Sequence, residues 1–256
     1  AWGYLGSFAA HMHMAAAGSM VSGSMMPGSM AAGSMPAGAT APGMLAPTFA
    51  PWTPGRVLTL FAMWAVMMVA MMTPSVLPMV LLYARVAEQF APSGRALAPA
   101  ALFAAGYLAA WIGFSAAAAL AQCGLEALAL LTPMMAASSR GLGAAVLLLA
   151  GAYQWSPAKD ACLDSCRSPL AFVQRHGGFR SSAAGSLRLG FLHGGYCIGC
   201  CWALMAILFA TGVMSLLWIA ALMLVVLLEK SMPRGRGFAR VTGSSALAAG
   251  LWMLIA

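Results

Sequence analysis

Six apolar stretches, with eleven of the thirteen bases in three of the connections between them, dictate what this chain can fold into. They run over about 57–83, 97–122, 141–155, 186–213, 215–228 and 238–256. A hydrocarbon layer about 30 Å thick is crossed by roughly 20 apolar residues in a helix, because a helix satisfies its own backbone amides. Only 7% of the 256 residues are charged, against about 25% in a soluble domain, so little is left over for a soluble domain. The expected fold is all-α: a polytopic transmembrane helical bundle of about six spans over 56–256. A flexible Met/Gly/Ser-rich N-terminal arm precedes it over 1–55.

The bases orient this bundle. Arg85 and Arg95 fall in the first turn. Lys159, Arg167, Arg175, Arg180 and Arg188 fall in the third, and Lys230, Arg234, Arg236 and Arg240 in the fifth. Only Arg56 and Arg140 lie on the other side. The base-rich side is cytoplasmic by the positive-inside rule. The arm and the C-terminus are then periplasmic, and the lipid bilayer is the principal partner. The net charge of +8 is a topology signal spread over short loops, so no nucleic-acid partner is expected. Trp2–Ala10 reads as the outer end of a helix lying upstream.

The chemistry concentrates in the fourth stretch, Gly190-Phe191-Leu192-His193-Gly194-Gly195-Tyr196-Cys197-Ile198-Gly199-Cys200-Cys201-Trp202-Ala203-Leu204-Met205. On a helix, residues three and four apart share a face. His193, Cys197, Cys200, Cys201 and Met205 therefore form one stripe of soft donors. Cys197 lies nine residues beyond Arg188, about 14 Å into the membrane at about 1.5 Å per residue. Thiolates are costly at that depth unless a cation offsets them. A metal site is one reading. The other is close helix packing through the pairs Gly190/Gly194 and Gly195/Gly199, with cysteine as a small hydrophobe. Cys197 and Cys201 are the best aligned pair.

Three further donor groups surround this stripe. Residues 11–55 carry no Asp, Glu, Lys or Arg, and Gly-Ser-Met recurs at 18–20, 23–25, 28–30 and 33–35, after His11-Met12-His13-Met14. Such a segment cannot bury a core. It reads either as a copper-catching arm, since thioether and imidazole suit copper, or as a Met-rich linker. In the first stretch Met63, Met67 and Met71 line one helix face, which is a second thioether row or simply core, and Pro74 and Pro78 are expected to kink that helix. In the longest loop, Cys162-x-x-x-Cys166 sets two thiols on one face of a helical turn, as ligands or as a regulatory pair. Glu229-Lys230 at the inner end of the fifth stretch reads as a helix-end anchor. His176 reads as solvated. No constellation of catalytic residues can be assembled, so an enzyme is not expected.

Four motifs together resemble a bacterial family of predicted metal-binding integral membrane proteins. They are Trp64-x-x-Met67-x-x-Ala70-Met71-Met72-x-Pro74, and Gly151-x-Tyr153-Gln154-x-Ser156-Pro157-x-Lys159-x-x-Cys162-x-x-x-Cys166-Arg167-Ser168-Pro169. Cys197-x-Gly199-Cys200-Cys201-Trp202-x-Leu204-Met205 and Glu229-Lys230-x-x-Pro233 complete the set. That family has a domain of unknown function and is often labelled a copper chaperone. The resemblance covers about 57–256 and implies a multi-pass protein of the bacterial inner membrane that handles metal. The function expected is Cu(I) binding in a chaperone-like or accessory role, with zinc the weaker candidate. A larger membrane complex or a copper enzyme would be the partner. Two other readings stay open, a structural accessory subunit and a membrane thiol–disulfide carrier.

Overall fold

The computed structural model describes residues 53–90, 97–132, 135–179 and 182–255. His11, Met12, His13 and Met14, and the arm apart from its last three residues, lie outside the described residues.

Eight helices make up the described chain: α1 (Pro54–Phe90), α2 (Leu97–Ala127), α3 (Arg140–Tyr153), α4 (Pro157–Arg167), α5 (Pro169–Arg175), α6 (Ala183–Thr211), α7 (Leu216–Ser231) and α8 (Gly235–Ile255). A single isolated bridge between Leu131 and Ala137 is the only β pairing among the described residues. The helix starts follow local chemistry. Ser139, Ser156 and Ser182 each accept a hydrogen bond from the amide of the third residue on, Leu142, Lys159 and Gly185. Each thereby satisfies one of the amides left unpaired in a first turn. Pro157 follows Ser156 at the first helical position, where its missing amide is harmless. At the other end of α6, Gly212 at φ 96° lets the chain leave the helix at a backbone angle that other residues avoid.

Four helices, α1, α2, α6 and α8, are long and apolar enough to cross a membrane. The third and fifth expected spans are shorter than that. Helix α3 has 14 residues and α7 has 16, about 21 Å and 24 Å long at 1.5 Å per residue. The expectation of about six spans thus reduces to four by length. The causes are local: α3 opens at the cap Ser139 and is ended by the Ser156-Pro157 start of α4, while α7 is confined between Gly212 and Met232-Pro233. Helix α1 runs continuously through Pro74 and Pro78. Thr73 and Ser75 hydroxyls donate to the Val69 and Met72 carbonyls beside the first proline, at 2.6 and 2.9 Å.

Helix α6 is central. It packs most extensively on α2 and also meets α3, α4 and α7. The α2 contact is a backbone-to-backbone approach. A Cβ on Gly190 would collide with the Phe103 carbonyl, one on Gly106 with the Leu187 carbonyl, and one on Gly194 would sit 2.6 Å from the Ala110 Cβ. Helices α3 and α8 pair in the same way, through Gly151, Gly243 and Gly250. Small residues are how helices approach closely where no hydrophobic force between them is available. The core between α1, α2 and α6 is filled by Trp64, Tyr83, Phe103, Tyr107 and Trp111, all fully buried.

At one end of α1 and α2, Arg56 reaches Glu126 at 2.7 Å, Gln122 donates to Glu126 at 3.0 Å, and the Trp64 indole donates to Gln122 at 2.7 Å. The opposite end is closed by a denser polar network, which positions the candidate site.

Candidate metal centre

Helix α4 carries Cys162 and Cys166, and ion pairs hold it against the rest of the molecule. Lys159 meets Glu229 of α7 at 2.7 Å, with side chains 0% and 2% exposed. Gln154 donates to the same carboxylate at 3.0 Å, and the Thr242 hydroxyl of α8 donates to it at 3.1 Å. Arg236 pairs with Asp164, and Arg240 lies 3.9 Å from Asp160. Arg167 donates to the carbonyls of Met232 and Pro233. Four side-chain links from one 11-residue helix fix its position relative to α7 and α8.

That position presses α4 onto the thiol face of α6. Gly199 makes room: a Cβ there would lie 2.7 Å from the Cys162 sulfur. The Tyr153 hydroxyl donates to the Gly199 carbonyl on the same side. The Cys166 sulfur comes to 3.9 Å from that of Cys200. The Cys197 thiol interacts with those of Cys166, Cys200 and Cys201. Cys200 and Cys201 also donate to the Cys197 carbonyl, at 3.1 and 2.9 Å. Cys197, Cys200 and Cys201 are each 1% exposed. Hydrogen bonds to Cys197 and Cys200, together with burial, hold the Cys166 thiol well above its ordinary range. Burial, and the nearby Cys200, push the Cys162 thiol up.

Two polar groups from other helices complete the cluster. The Lys230 ammonium of α7 lies 2.8 Å from the Cys197 sulfur, and the Tyr107 hydroxyl of α2 lies 3.0 Å from it. Lys230 also donates to the Ser75 hydroxyl at 3.2 Å, and Tyr107 donates to the Met72 carbonyl at 3.4 Å. The turn of α1 from Met72 to Ser75 therefore closes the site from one side, α4 from another.

The structure sorts the sequence candidates. Cys166, Cys197, Cys200 and Cys201 come together, and Cys162 adjoins them across Gly199. His193 is 3% exposed in a cage of Phe172, Phe103 and Tyr107, with ring centroids 4.9, 5.8 and 5.9 Å away. Its Nδ1 has no hydrogen-bond partner. Met67, Met71 and Met205 are buried in the hydrophobic core. Cys123 is buried near the end of α2, beside the Glu126 network. His176 stands against Phe172 and Tyr196, with centroids 4.4 and 5.7 Å away. Glu229-Lys230 is not a pair: the carboxylate turns to Lys159 and the ammonium to Cys197. The two glycine pairs also divide. Gly190 and Gly194 pack on α2, Gly195 faces open space, and Gly199 accommodates Cys162. Packing and thiol chemistry thus use different faces of one helix.

Tyr107 and Lys230 are the site residues that the sequence conceals. Tyr107 lies in an apolar stretch with nothing to mark it. Lys230 carried a signal in its adjacency to Glu229, since neighbours on a helix point about 100° apart and cannot both face the same partner.

Among the described residues, no three His, Cys, Asp or Glu side chains are already set as a metal-holding group. The sulfurs are instead engaged with one another, with Tyr107 and with Lys230. Two sulfurs that each bind a soft ion at about 2.3 Å can stand up to about 4.6 Å apart, and the Cys166–Cys200 separation lies inside that limit. That separation is compatible with a two-coordinate soft ion or with closure to a disulfide.

A family model described as PpoB2, copper chaperone, matches residues 61–253. No curated protein and no solved structure matches the chain.

Proposed function

The chain belongs to the PpoB2 copper chaperone family, and from that premise we propose that it binds Cu(I) at the α4–α6 thiol cluster and passes it on. One observation carries the reading. Cys166 and Cys200, 34 residues apart on separate helices, bring their sulfurs to 3.9 Å, beside Cys197. Thiolate sulfur is a soft donor that suits Cu(I), as it does Zn(II), and the family model favours copper. A thiol cluster at this depth gains from a bound cation, which holds its thiolates where water does not.

In this reading the protein is a multi-pass component of a bacterial inner membrane, with α3 and α7 seated in the bundle as its short third and fifth spans. The Met/His-rich arm lies on the periplasmic side, as does the C-terminus. The role is carriage and delivery to a copper enzyme or a larger membrane complex, without catalysis. Methionines of the arm supply thioethers on the periplasmic side. Cys162 and Cys166 stand nearest the base-rich, cytoplasmic face.

The test is a metal assay on the full chain, purified under reducing conditions from copper-replete cells. About one copper per chain is expected, falling to background in Cys197→Ser/Cys200→Ser. A folded wild-type protein with reduced thiols and no copper would sink the reading.

The same 3.9 Å separation favours a second reading, a thiol–disulfide carrier. Two thiols would join as a disulfide and hand two electrons and two protons to an acceptor such as a quinone or a second disulfide. Maleimide trapping in cells would then reveal a reversible oxidised form, and permanently reduced cysteines exclude it.

A further inference from the structure

Lys230 belongs to the polar network but has no acidic partner among the described residues. The chain has five acids, and four of them are spoken for. Glu229 holds Lys159, Glu126 holds Arg56, Asp164 holds Arg236, and Asp160 lies against Arg240. The fifth, Glu88, is exposed on α1. Glu229 is the immediate neighbour of Lys230 and faces away from it. Lys230 instead directs its ammonium at the Cys197 sulfur at 2.8 Å and at the Ser75 hydroxyl at 3.2 Å. Cys197 is 1% exposed, and the Tyr107 hydroxyl beside its sulfur is on a fully buried side chain. A cation has been placed against a thiol cluster, in surroundings where an unbalanced charge is costly.

We propose that Lys230 is a specificity-determining residue, whose fixed positive charge makes the thiol cluster select a monovalent thiophilic cation over a divalent one. This rests on the copper-binding reading above and adds to it the basis of the choice. The reason is charge balance. When two of the clustered thiols bind Cu(I), two S–H bonds break, two protons leave to water, and two Cu–S bonds form. Two thiolates and one monovalent ion make a unit of charge −1, and the Lys230 ammonium brings the site to zero. With Zn(II) the same two thiolates are already neutralised, and Lys230 leaves a positive charge with nothing to offset it. The count is the same for any two of Cys166, Cys197 and Cys200, provided the third stays a neutral thiol. Ser75 matters because it gives the ammonium a second acceptor. Lys230 can yield the sulfur to an incoming ion and remain within the site.

The experiment compares full-length protein in detergent with its Lys230→Met, Lys230→Gln and Lys230→Arg variants. Each is titrated with Cu(I), held reduced, and separately with Zn(II), against competing chelators of known affinity. The quantity read is the ratio of the two affinities. Both neutral variants should move that ratio toward Zn(II) by about tenfold or more, as the removal of a near charge requires. Lys230→Arg, which keeps the charge, should stay within about threefold of wild type. Gln retains a donor to Ser75, so it serves if the Met variant does not fold. An unchanged ratio in the neutral variants, or an Arg variant that shifts as far as they do, overturns the proposal. Wild-type protein that takes up neither ion overturns the copper reading itself, an outcome separate from any change in preference.

Discussion

Lys159 and Glu229 form an ion pair 2.7 Å long between side chains that are almost wholly buried, 70 residues apart in the chain. The pair joins α4 to α7 at the level where the thiols of α4 meet α6. Breaking such a pair by removing one partner strands a charge, which costs about 3–5 kcal/mol. Glu229→Leu should lower thermal stability by that order, and Lys159→Met/Glu229→Leu should recover much of the loss, because an apolar pair leaves no stranded charge. Thermal unfolding in detergent measures both. Additive losses in the double variant would show that the ion pair is not the unit that matters.

Gly199 gives a steric prediction. A Cβ at this position would lie 2.7 Å from the Cys162 sulfur, so Gly199→Ala must displace the Cys162 side chain or α4 itself. Overpacking of this kind costs about 1–3 kcal/mol. Cys162 should then react faster with a maleimide, and copper uptake should fall, whereas Gly195→Ala, at a glycine with open space, should change neither. Equal behaviour of the two alanine variants would contradict the close approach of α4.

The Cys166–Cys200 separation is open to cross-linking. In a variant that keeps only these two cysteines, diamide should yield an intramolecular disulfide within minutes, seen as loss of both free thiols by mass spectrometry. Pairing Cys123 with Cys200 in the same background should give none, since Cys123 lies at the other end of α2. A failure of the first pair to close would mean that the two helices do not meet as described.

Cys162 gives a prediction in pH. Burial and the nearby Cys200 hold its thiol above the ordinary value, so the folded state retains this proton more firmly than the unfolded state. The resulting stability is fully present below the ordinary thiol range and is lost as pH rises through it toward the folded value. Alkylation of Cys162, which needs the thiolate, should follow a pH profile displaced upward from that of the denatured chain. Coincident profiles would show that the site imposes no shift.

The opposite end of the molecule has its own dependence. Gln122 accepts from the Trp64 indole and donates to Glu126, which also holds Arg56. Gln122→Leu leaves the buried Trp64 donor unsatisfied, at about 1–3 kcal/mol. The melting temperature should drop accordingly while copper binding survives. Loss of copper binding in a folded Gln122→Leu protein would mean that the two ends are coupled.

Much of this architecture is legible in the residues. Apolar length alone finds α1, α2, α6 and α8, and the serine caps mark where α3, α4 and α6 begin. The spacing of Cys197, Cys200 and Cys201 on one helix puts them on a shared face, and Cys162-x-x-x-Cys166 does the same for α4. Periodicity describes one helix at a time, however, and it is silent on what faces what. It cannot separate a thioether row facing a partner from the core packing that Met67 and Met71 adopt. It placed His193 on the thiol stripe, although aromatic rings from α2 and α5 enclose it. It could not assign the partners of Glu229 and Lys230, because those partners, Lys159 and Cys197, are 70 and 33 residues away.

The clamp on α4 also imposes an order on biosynthesis. Its partners Glu229, Met232, Pro233, Arg236 and Arg240 all lie within twelve residues, and all are synthesised after both Cys166 and the cysteines of α6. Until that short segment is made and inserted, Cys166 has nothing to hold it against Cys200, and Cys197 has no ammonium beside it. A nascent chain that ends before residue 229 therefore contains all six cysteines without the assembled cluster. Completion of the site coincides with the docking of the last two helices.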